Sequence, residues 1–336
     1  MDGQSLERYD VTLIGGGPVG LFGAALAGLH GMKTKLIEAL PHLGGQLYAL
    51  YPEKWIYDVA GFPKVLAKDL VAQLVEQAMR YHPTICLEET VSDLEALPDG
   101  AWRLYTNRDV HETRTILITS GIGAFTPRKL PAANAERFEG TSIHYFVPPL
   151  KTFTDQRVVV VGGGDSALDW ALALTDPARE VILVHRRDEF RGQQETLRQF
   201  SAHPKARIRV WTEVRDVAGT NRLEAVQLIN HQTKETEWIE ADAVVAALGF
   251  HSNLGPIKDW GLEFHGSSIV TNEAMQTSRP GIYAAGDVAY YPGKVKLIAT
   301  GFGEIGNALG HIRGYLHPGH KGGLPHSTNL KVEREG

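Results

Sequence analysis

Two stretches of this 336-residue chain repeat one arrangement of residue types. The first is Val11-Thr12-Leu13-Ile14-Gly15-Gly16-Gly17-Pro18-Val19-Gly20. The second is Val158-Val159-Val160-Val161-Gly162-Gly163-Gly164-Asp165-Ser166-Ala167. Each is an apolar, β-branched run, then G-x-G-x-x-[G/A], then an amphipathic helical pattern. Glycine in such a turn lets the backbone come close to a pyrophosphate, and the helix that follows points free N–H groups and its positive end at the phosphates. Gly15, Gly17 and Gly20 are the candidates in the first copy, and Gly162, Gly164 and Ser166 in the second. A single such fingerprint is weak; two in register, each after a strand and before a helix, point to two dinucleotide sites.

The residue that closes the second strand of each copy meets the adenosine ribose. Glu38 follows Gly15 by as many residues as His185 follows Gly162. A carboxylate there accepts from unmodified ribose hydroxyls, which suits FAD or NAD. The basic run His185-Arg186-Arg187, with Arg191 just beyond, suits a 2′-phosphate, which points to NADP(H).

The elements that must position these residues read as follows. Tyr9 to Ile14 and Lys35 to Glu38 are strands flanking a helix that opens at Pro18, and Val65 to Tyr81 has helical periodicity. Short strands follow at Ile85–Leu87, Val91–Leu94, Trp102–Tyr105 and Thr115–Thr119. Between Leu43 and Pro63 the chain is too rich in glycine and aromatics for a plain helix or strand, and is expected to be a functional loop region. Gly121 to Arg128 marks a crossing into a second domain. There the strand Ala243–Ala247 ends at Leu248-Gly249-Phe250, echoing Thr119-Ser120-Gly121, so the second domain repeats the first in outline. The apolar run Gly281–Asp287 and the helical pattern Gly301–Leu316 complete the first.

The expected fold is α/β, with two Rossmann-like dinucleotide-binding domains. Residues 1–120 and 282–336 form the domain for the dinucleotide with the unmodified ribose, FAD or NAD, and the NADP(H)-binding domain, 121–281, is inserted into it. Two sites on two domains imply a rotation between them, with Gly121 and Arg279-Pro280-Gly281 as the expected hinges.

Composition sets the bounds. Hydrophobic content of 43% and charged content of 22% are those of an ordinary globular protein, and a net charge of −5 carries no overall nucleic-acid signature. No apolar run has the length of a membrane span and nothing resembles a signal peptide, so the chain reads as cytoplasmic. The single cysteine, Cys86, fits a reducing compartment and forbids an internal disulfide. His311, His317, His320 and His326 match no standard metal spacing, and no metal is expected.

The two fingerprints, Gly286-Asp287 after a strand, and His185-Arg186-Arg187-Asp188-Glu189-Phe190-Arg191 resemble the thioredoxin-reductase class of flavoproteins. That class carries Cys-x-x-Cys just upstream of its second fingerprint; here the place holds His144-Tyr145-Phe146-Val147-Pro148-Pro149-Leu150, with no sulfur. What remains is similar to the ferredoxin–NADP reductases built on that fold. The marks are Gly44-Gly45-Gln46-Leu47, Tyr51-Pro52-Glu53-Lys54, Tyr57 to Pro63, Lys129-Leu130, Gly163 to Trp170, Leu297 to Glu304 and His326-Ser327-Thr328, so the resemblance spans nearly the whole chain.

The resemblance implies FAD and NADP(H) as cofactors and assigns roles. Tyr51 would stack on one face of the flavin, although an aromatic between apolar neighbours is more often simply core. His326 would cover the other face, from its own subunit or its partner's, with Ser327 and Thr328 close by; a tail histidine more often faces solvent. Gln46 would hydrogen-bond the cofactor, Val91 and Phe125 would shape its pocket, and Asp287 would accept from the ribityl chain. The helix near Gly301 would point its positive end at the ring. The implied activity is electron exchange between NADP(H) and an acidic ferredoxin or flavodoxin, in a homodimer, with no side chain acting as nucleophile, acid or base. Lys54, Lys64, Lys68, Lys294 and Lys296 are candidates for the partner's basic patch. A disulfide reductase needs a second cysteine. A flavin diaphorase acting on quinones or ferric chelates stays open, as does a non-catalytic NADP(H)-binding protein.

Overall fold

The structure, a computed structural model, describes residues 6–319 and 324–329, with backbone only at 124–126, 251, 252 and 329. Its helices are α1 (Pro18–Leu29), α2 (Gly45–Leu50), α3 (Ala67–Met79), α4 (Asp165–Leu174), α5 (Gln194–Ala202) and α6 (Ile298–Leu316). The chain forms two compact units, Met1–Phe125 with Ser252–Gly336, and Thr126–His251.

In the first unit the apolar run Arg8–Ile14 becomes a central strand. Thr34–Ile37 and then Thr84–Cys86 lie on one side of it, and Val110–Ile118 on the other, all parallel. Ile282–Ala284 adds in parallel to Val110–Ile118, which also begins the antiparallel ladder to Trp102–Thr106 and Val91–Ala96. Strands buried on both faces need apolar side chains throughout, which is why Val11, Leu13, Ile116, Leu117 and Ile118 are fully buried. Proline at the first turn starts α1, and its glycines let it lie close to the sheet. A Cβ on Gly23 would fall 2.6 Å from a Leu13 methyl and 3.1 Å from Ile305, so α1 is held between the sheet and α6.

The other face of that sheet explains where the first unit ends. Ile14, Ile37, Trp102 and Ile116 pack against Leu254, Ile257, Trp260, Leu262 and Ile269. Residues 252–281 therefore belong to the first unit and not, as the sequence suggests, to the second. Arg279-Pro280-Gly281 is no connector either: the Arg279 guanidinium donates to the Trp260 carbonyl at 2.7 Å and lies 4.5 Å from the Trp102 ring. The chain passes between the units along the strands Ala124–Pro127 and Phe250–Asn253.

The second unit repeats the order of the first. Its parallel sheet runs Ile143–His144, Ala243–Ala246, Arg157–Val161, Glu180–Val184, Ala206–Arg209. On one face Val158, Val160, Leu183 and Val245 pack with Leu168, Leu174 and Phe200 of α4 and α5. On the other, Val159, Val161 and Val184 pack with the antiparallel sheet Thr212–Ala218, Ala225–Asn230, Thr236–Glu240.

Two local expectations change. The stretch from Leu43 to Pro63 is not simply loop: it holds α2 and the strand Trp55–Ile56, paired with Val65–Leu66. Gly44, at φ 108°, makes the left-handed turn that lets α2 start. The strand expected at Thr115 begins at Val110, because its polar half, His111-Glu112-Thr113, is buried in the ladder. Among the described residues no helix is long and apolar enough to cross a membrane.

Candidate dinucleotide sites

In the first unit a cleft of about 410 Å³ opens at the carboxyl ends of the parallel strands, where the strand order reverses between Arg8–Ile14 and Val110–Ile118. Gly15, Gly17, Glu38, Gln46, Tyr51, Val91 and Asp287 all line it.

The turn is built by close approach. Gly15 sits at φ 113°, and a Cβ there would fall 2.7 Å from the Thr119 carbonyl oxygen. A Cβ on Gly20 would fall 1.9 Å from the Gly15 oxygen, so only glycine lets α1 begin here. Gly17 differs: nothing lies within 4 Å of its missing Cβ. It caps α1 with no side-chain hydrogen bond, and the first turn carries no acid. The start of α6 is the same: its cap, Leu297, makes no side-chain cap hydrogen bond, and Leu297 and Ile298 line the cleft. Two helix N-termini with uncapped N–H groups are what a pyrophosphate and an electron-rich ring require.

Glu38 is 7% exposed. Its carboxylate accepts from Gly16 N at 2.7 Å and Leu40 N at 2.9 Å. Burial pushes its pKa above the usual carboxylate range, and those backbone N–H groups pull against the rise. Four lone-pair sites and two such bonds leave acceptor capacity for ribose hydroxyls.

Tyr51 follows α2, and burial raises its phenol. Gln46 reaches toward Gly121, where a Cβ would meet its amide nitrogen at 3.5 Å. Val91 is buried in the core and also lines the cleft. The side chain of Phe125 lies outside the described residues. Just past Leu324, which packs on the core, His326 is exposed immediately before the 3₁₀ turn Ser327–Asn329 and Thr328 is exposed on it; neither lines the cleft.

Sequence reasoning missed what fixes Gly286-Asp287. Glu304 of α6 and Lys294 form a buried ion pair, their side chains 3% and 4% exposed. Glu304 accepts from Gly286 N at 2.7 Å and from the Tyr291 hydroxyl at 2.7 Å, and Lys294 donates to the Gly286 oxygen at 3.0 Å. Lys294 therefore cannot belong to a surface patch. A signal existed: Glu304 falls on the buried stripe Gly301, Ile305, Ala308, Ile312, where a carboxylate demands a partner.

A second missed group is Cys86, Glu89 and His111, whose ligand atoms lie within 4.8 Å of one another. Lys35 Nζ lies 2.6 Å from His111 Nδ1. An ammonium can only donate, so Nδ1 accepts and Nε2–H faces Glu89, which also accepts from Thr106 at 2.7 Å. Burial pushes the Cys86 thiol up to about 11. This is an ion pair bridged by an imidazole, with a cation where a metal ligand would need an acceptor.

In the second unit the same turn recurs with different chemistry. A Cβ on Gly162 would fall 2.4 Å from the Ala247 oxygen, whereas Gly164, the cap of α4, has nothing within 4 Å and no side-chain cap. His185 packs its ring against Gly163, as Glu38 packs against Gly16 in the first unit. Burial lowers the His185 pKa. Arg191 N and Gly192 N donate to the Gly163 oxygen, and Gln193 N to Asp165 at 2.9 Å, so the arginine loop is stitched to the turn. Arg186, Arg187, Arg191 and Ser166 are all exposed beside it.

A family model described as pyridine nucleotide-disulphide oxidoreductase matches residues 9–304. The chain is 50% identical over 330 residues to ferredoxin–NADP reductase 2 of Shouchella clausii, covering 97% of this chain and 99% of that one. It is 49% identical over 325 residues to ferredoxin–NADP reductase of Geobacillus kaustophilus, covering 96% and 97%. Among solved structures it is similar to thioredoxin reductase of Lactococcus lactis in its FR conformation, with a TM-score of 0.73, 26% identity, and 92% and 99% coverage.

Proposed function

The chain belongs to the pyridine nucleotide-disulphide oxidoreductase family, and from that premise we infer that it is an FAD-dependent oxidoreductase exchanging electrons between NADP(H) and ferredoxin. The observation that carries this reading is the pair of matched turns with opposite strand-end chemistry, an acid at Glu38 and arginines at Arg186 and Arg187. The disulphide chemistry in the family's description needs two cysteines, and the chain has only Cys86.

The first-unit cleft fits FAD. Gly15 and Gly20 shape the turn, Gly17 leaves it open, and α1 meets the pyrophosphate. Glu38 holds the adenosine ribose, Asp287 the ribityl chain, and Tyr51, Gln46 and Val91 the ring end. When bound, FAD supplies the exchange between the two-electron chemistry of a nicotinamide and the one-electron chemistry of an iron–sulfur protein. The chain's residues orient and stabilise; the positive end of α6 favours a ring that has gained electrons. Gly162, Gly164 and Ser166 hold the NADP(H) pyrophosphate, and Arg186, Arg187 and Arg191 its 2′-phosphate.

His326 and Thr328, on an exposed tail, close over a flavin in a homodimer. Ferredoxin, or flavodoxin, meets a basic surface that includes Lys54, Lys64 and Lys296. A cytoplasmic location is the reading that a single thiol, suited to a reducing compartment, and these partners support. The test is to reconstitute the purified protein with FAD and compare NADPH-driven reduction of ferredoxin with that of quinones and ferric chelates. Ferredoxin should be the preferred acceptor, with a rate that falls as salt rises. Faster reduction of the small acceptors, with ferredoxin inert, would make the protein a diaphorase instead.

A further inference from the structure

In the second unit the turn at Gly162–Gly164 and the arginines after His185 account for the pyrophosphate and the phosphorylated adenosine. The nicotinamide end of the same molecule has no assigned partner. The sheet order gives its direction. Arg186 and Arg187 follow the strand Glu180–Val184; the pyrophosphate turn follows the next strand, Arg157–Val161; beyond it come Ala243–Ala246 and Ile143–His144. The order reverses between Arg157–Val161 and Ala243–Ala246, and ligands of open α/β sheets lie in that crevice. A dinucleotide whose adenosine end is at Arg186 thus extends its other end over the last two strands.

Two aromatic rings stand there. Val245 pairs with both Val160 and His144, so Phe146 comes as many residues after its paired strand position as Gly162 does after its own. Two strand spacings, roughly 10 Å, separate their strands. Phe250 follows the intervening strand by a few residues, and that segment passes directly beside the turn, since a Gly162 Cβ would touch the Ala247 oxygen. The Phe146 and Phe250 ring centroids are 5.5 Å apart, tilted by 36°, and Phe146 is 40% exposed.

We propose that Phe146 and Phe250 form the face on which the nicotinamide ring of NADP(H) packs in the second unit. A planar ring gains from an aromatic face by offset stacking, and the oxidised pyridinium gains further because its positive charge meets the negative face of the phenyl ring. The pair positions the ring and takes no part in the chemistry. The proposal rests on reading this unit as the NADP(H) unit.

The test is equilibrium binding to the FAD-loaded protein of two probes, NADP⁺ and 2′,5′-ADP, which lacks the nicotinamide half. Phe146→Ala and Phe250→Ala should each weaken NADP⁺ on the order of tenfold and leave 2′,5′-ADP unchanged. Phe146→Tyr keeps the ring and should retain the affinity for NADP⁺. Unchanged NADP⁺ affinity in both alanine variants, or equal weakening of both probes, would overturn the proposal. If the unaltered protein bound neither probe, the assignment of the unit to NADP(H) would fall with it.

Discussion

At the scale of single residues, the proposed sorting of two cofactors rests on one position that differs between the two repeated units. Glu38 and His185 end matching strands and touch matching glycines, Gly16 and Gly163. One brings acceptors and the other opens a run of cations. Arg186→Ala with Arg187→Ala should shrink the preference for NADPH over NADH by a few kcal/mol, at about 1.5–3 kcal/mol per charge-assisted contact. Steady-state kinetics with both cofactors measure it, and an unaltered ratio would move the 2′-phosphate elsewhere. Glu304→Gln should leave the Lys294 ammonium buried without its counter-charge, at a cost of about 3–5 kcal/mol. A thermal midpoint equal to that of the parent would show the pair to be unimportant. The strand-end contrast was legible because spacing alone aligns the two copies. The ion pair was only half legible: the apolar stripe of α6 marks Glu304 as unusual, but Lys294 reaches it from a loop that no periodicity describes.

At the scale of elements, the glycines of the first turn separate two jobs. Gly20 exists for packing, because any Cβ would collide with the Gly15 oxygen at 1.9 Å. Gly17 is not demanded by packing, since its φ of −71° suits any residue and the space beside it is open, so the proposed reason for it is room for the cofactor. Gly20→Ala should therefore destabilise the unit by about 1–3 kcal/mol. Gly17→Ala should leave the cofactor-free protein as stable as before and lower its affinity for FAD. Calorimetry of the cofactor-free form and titration with FAD distinguish the two; equal FAD affinity in Gly17→Ala would remove the pyrophosphate from that place. Strands and helices with strong periodicity, such as α3, were readable to within two residues. The segment from Leu43 to Pro63 was not, since α2 is too short for a periodic signal and depends on the left-handed turn at Gly44.

At the scale of the whole molecule, the insertion of one unit within the other was visible in the order of motifs, but its second boundary was not. Residues 252–281 carry no fingerprint, and their allegiance is decided by packing of Leu254, Ile257 and Trp260 against Trp102 and Ile116. A further property belongs to the molecule as a whole. Burial lowers the pKa of His30, His144 and His185. As pH falls below about 6.5 the unfolded chain takes up protons that these folded imidazoles refuse, so stability must fall with it. Thermal midpoints should decline between about pH 6.5 and 5, and His144→Gln should flatten the decline; a midpoint constant across that window would show that the three rings protonate freely in the folded state.

The most direct test of the division between an acid-marked FAD unit and an arginine-marked NADP(H) unit is an anaerobic titration of the purified, FAD-reconstituted protein with NADPH, following the flavin absorbance. The yellow colour should bleach with NADPH at concentrations where NADH has little effect. A protein that stays colourless after incubation with FAD, or a flavin that NADPH leaves oxidised, would contradict it.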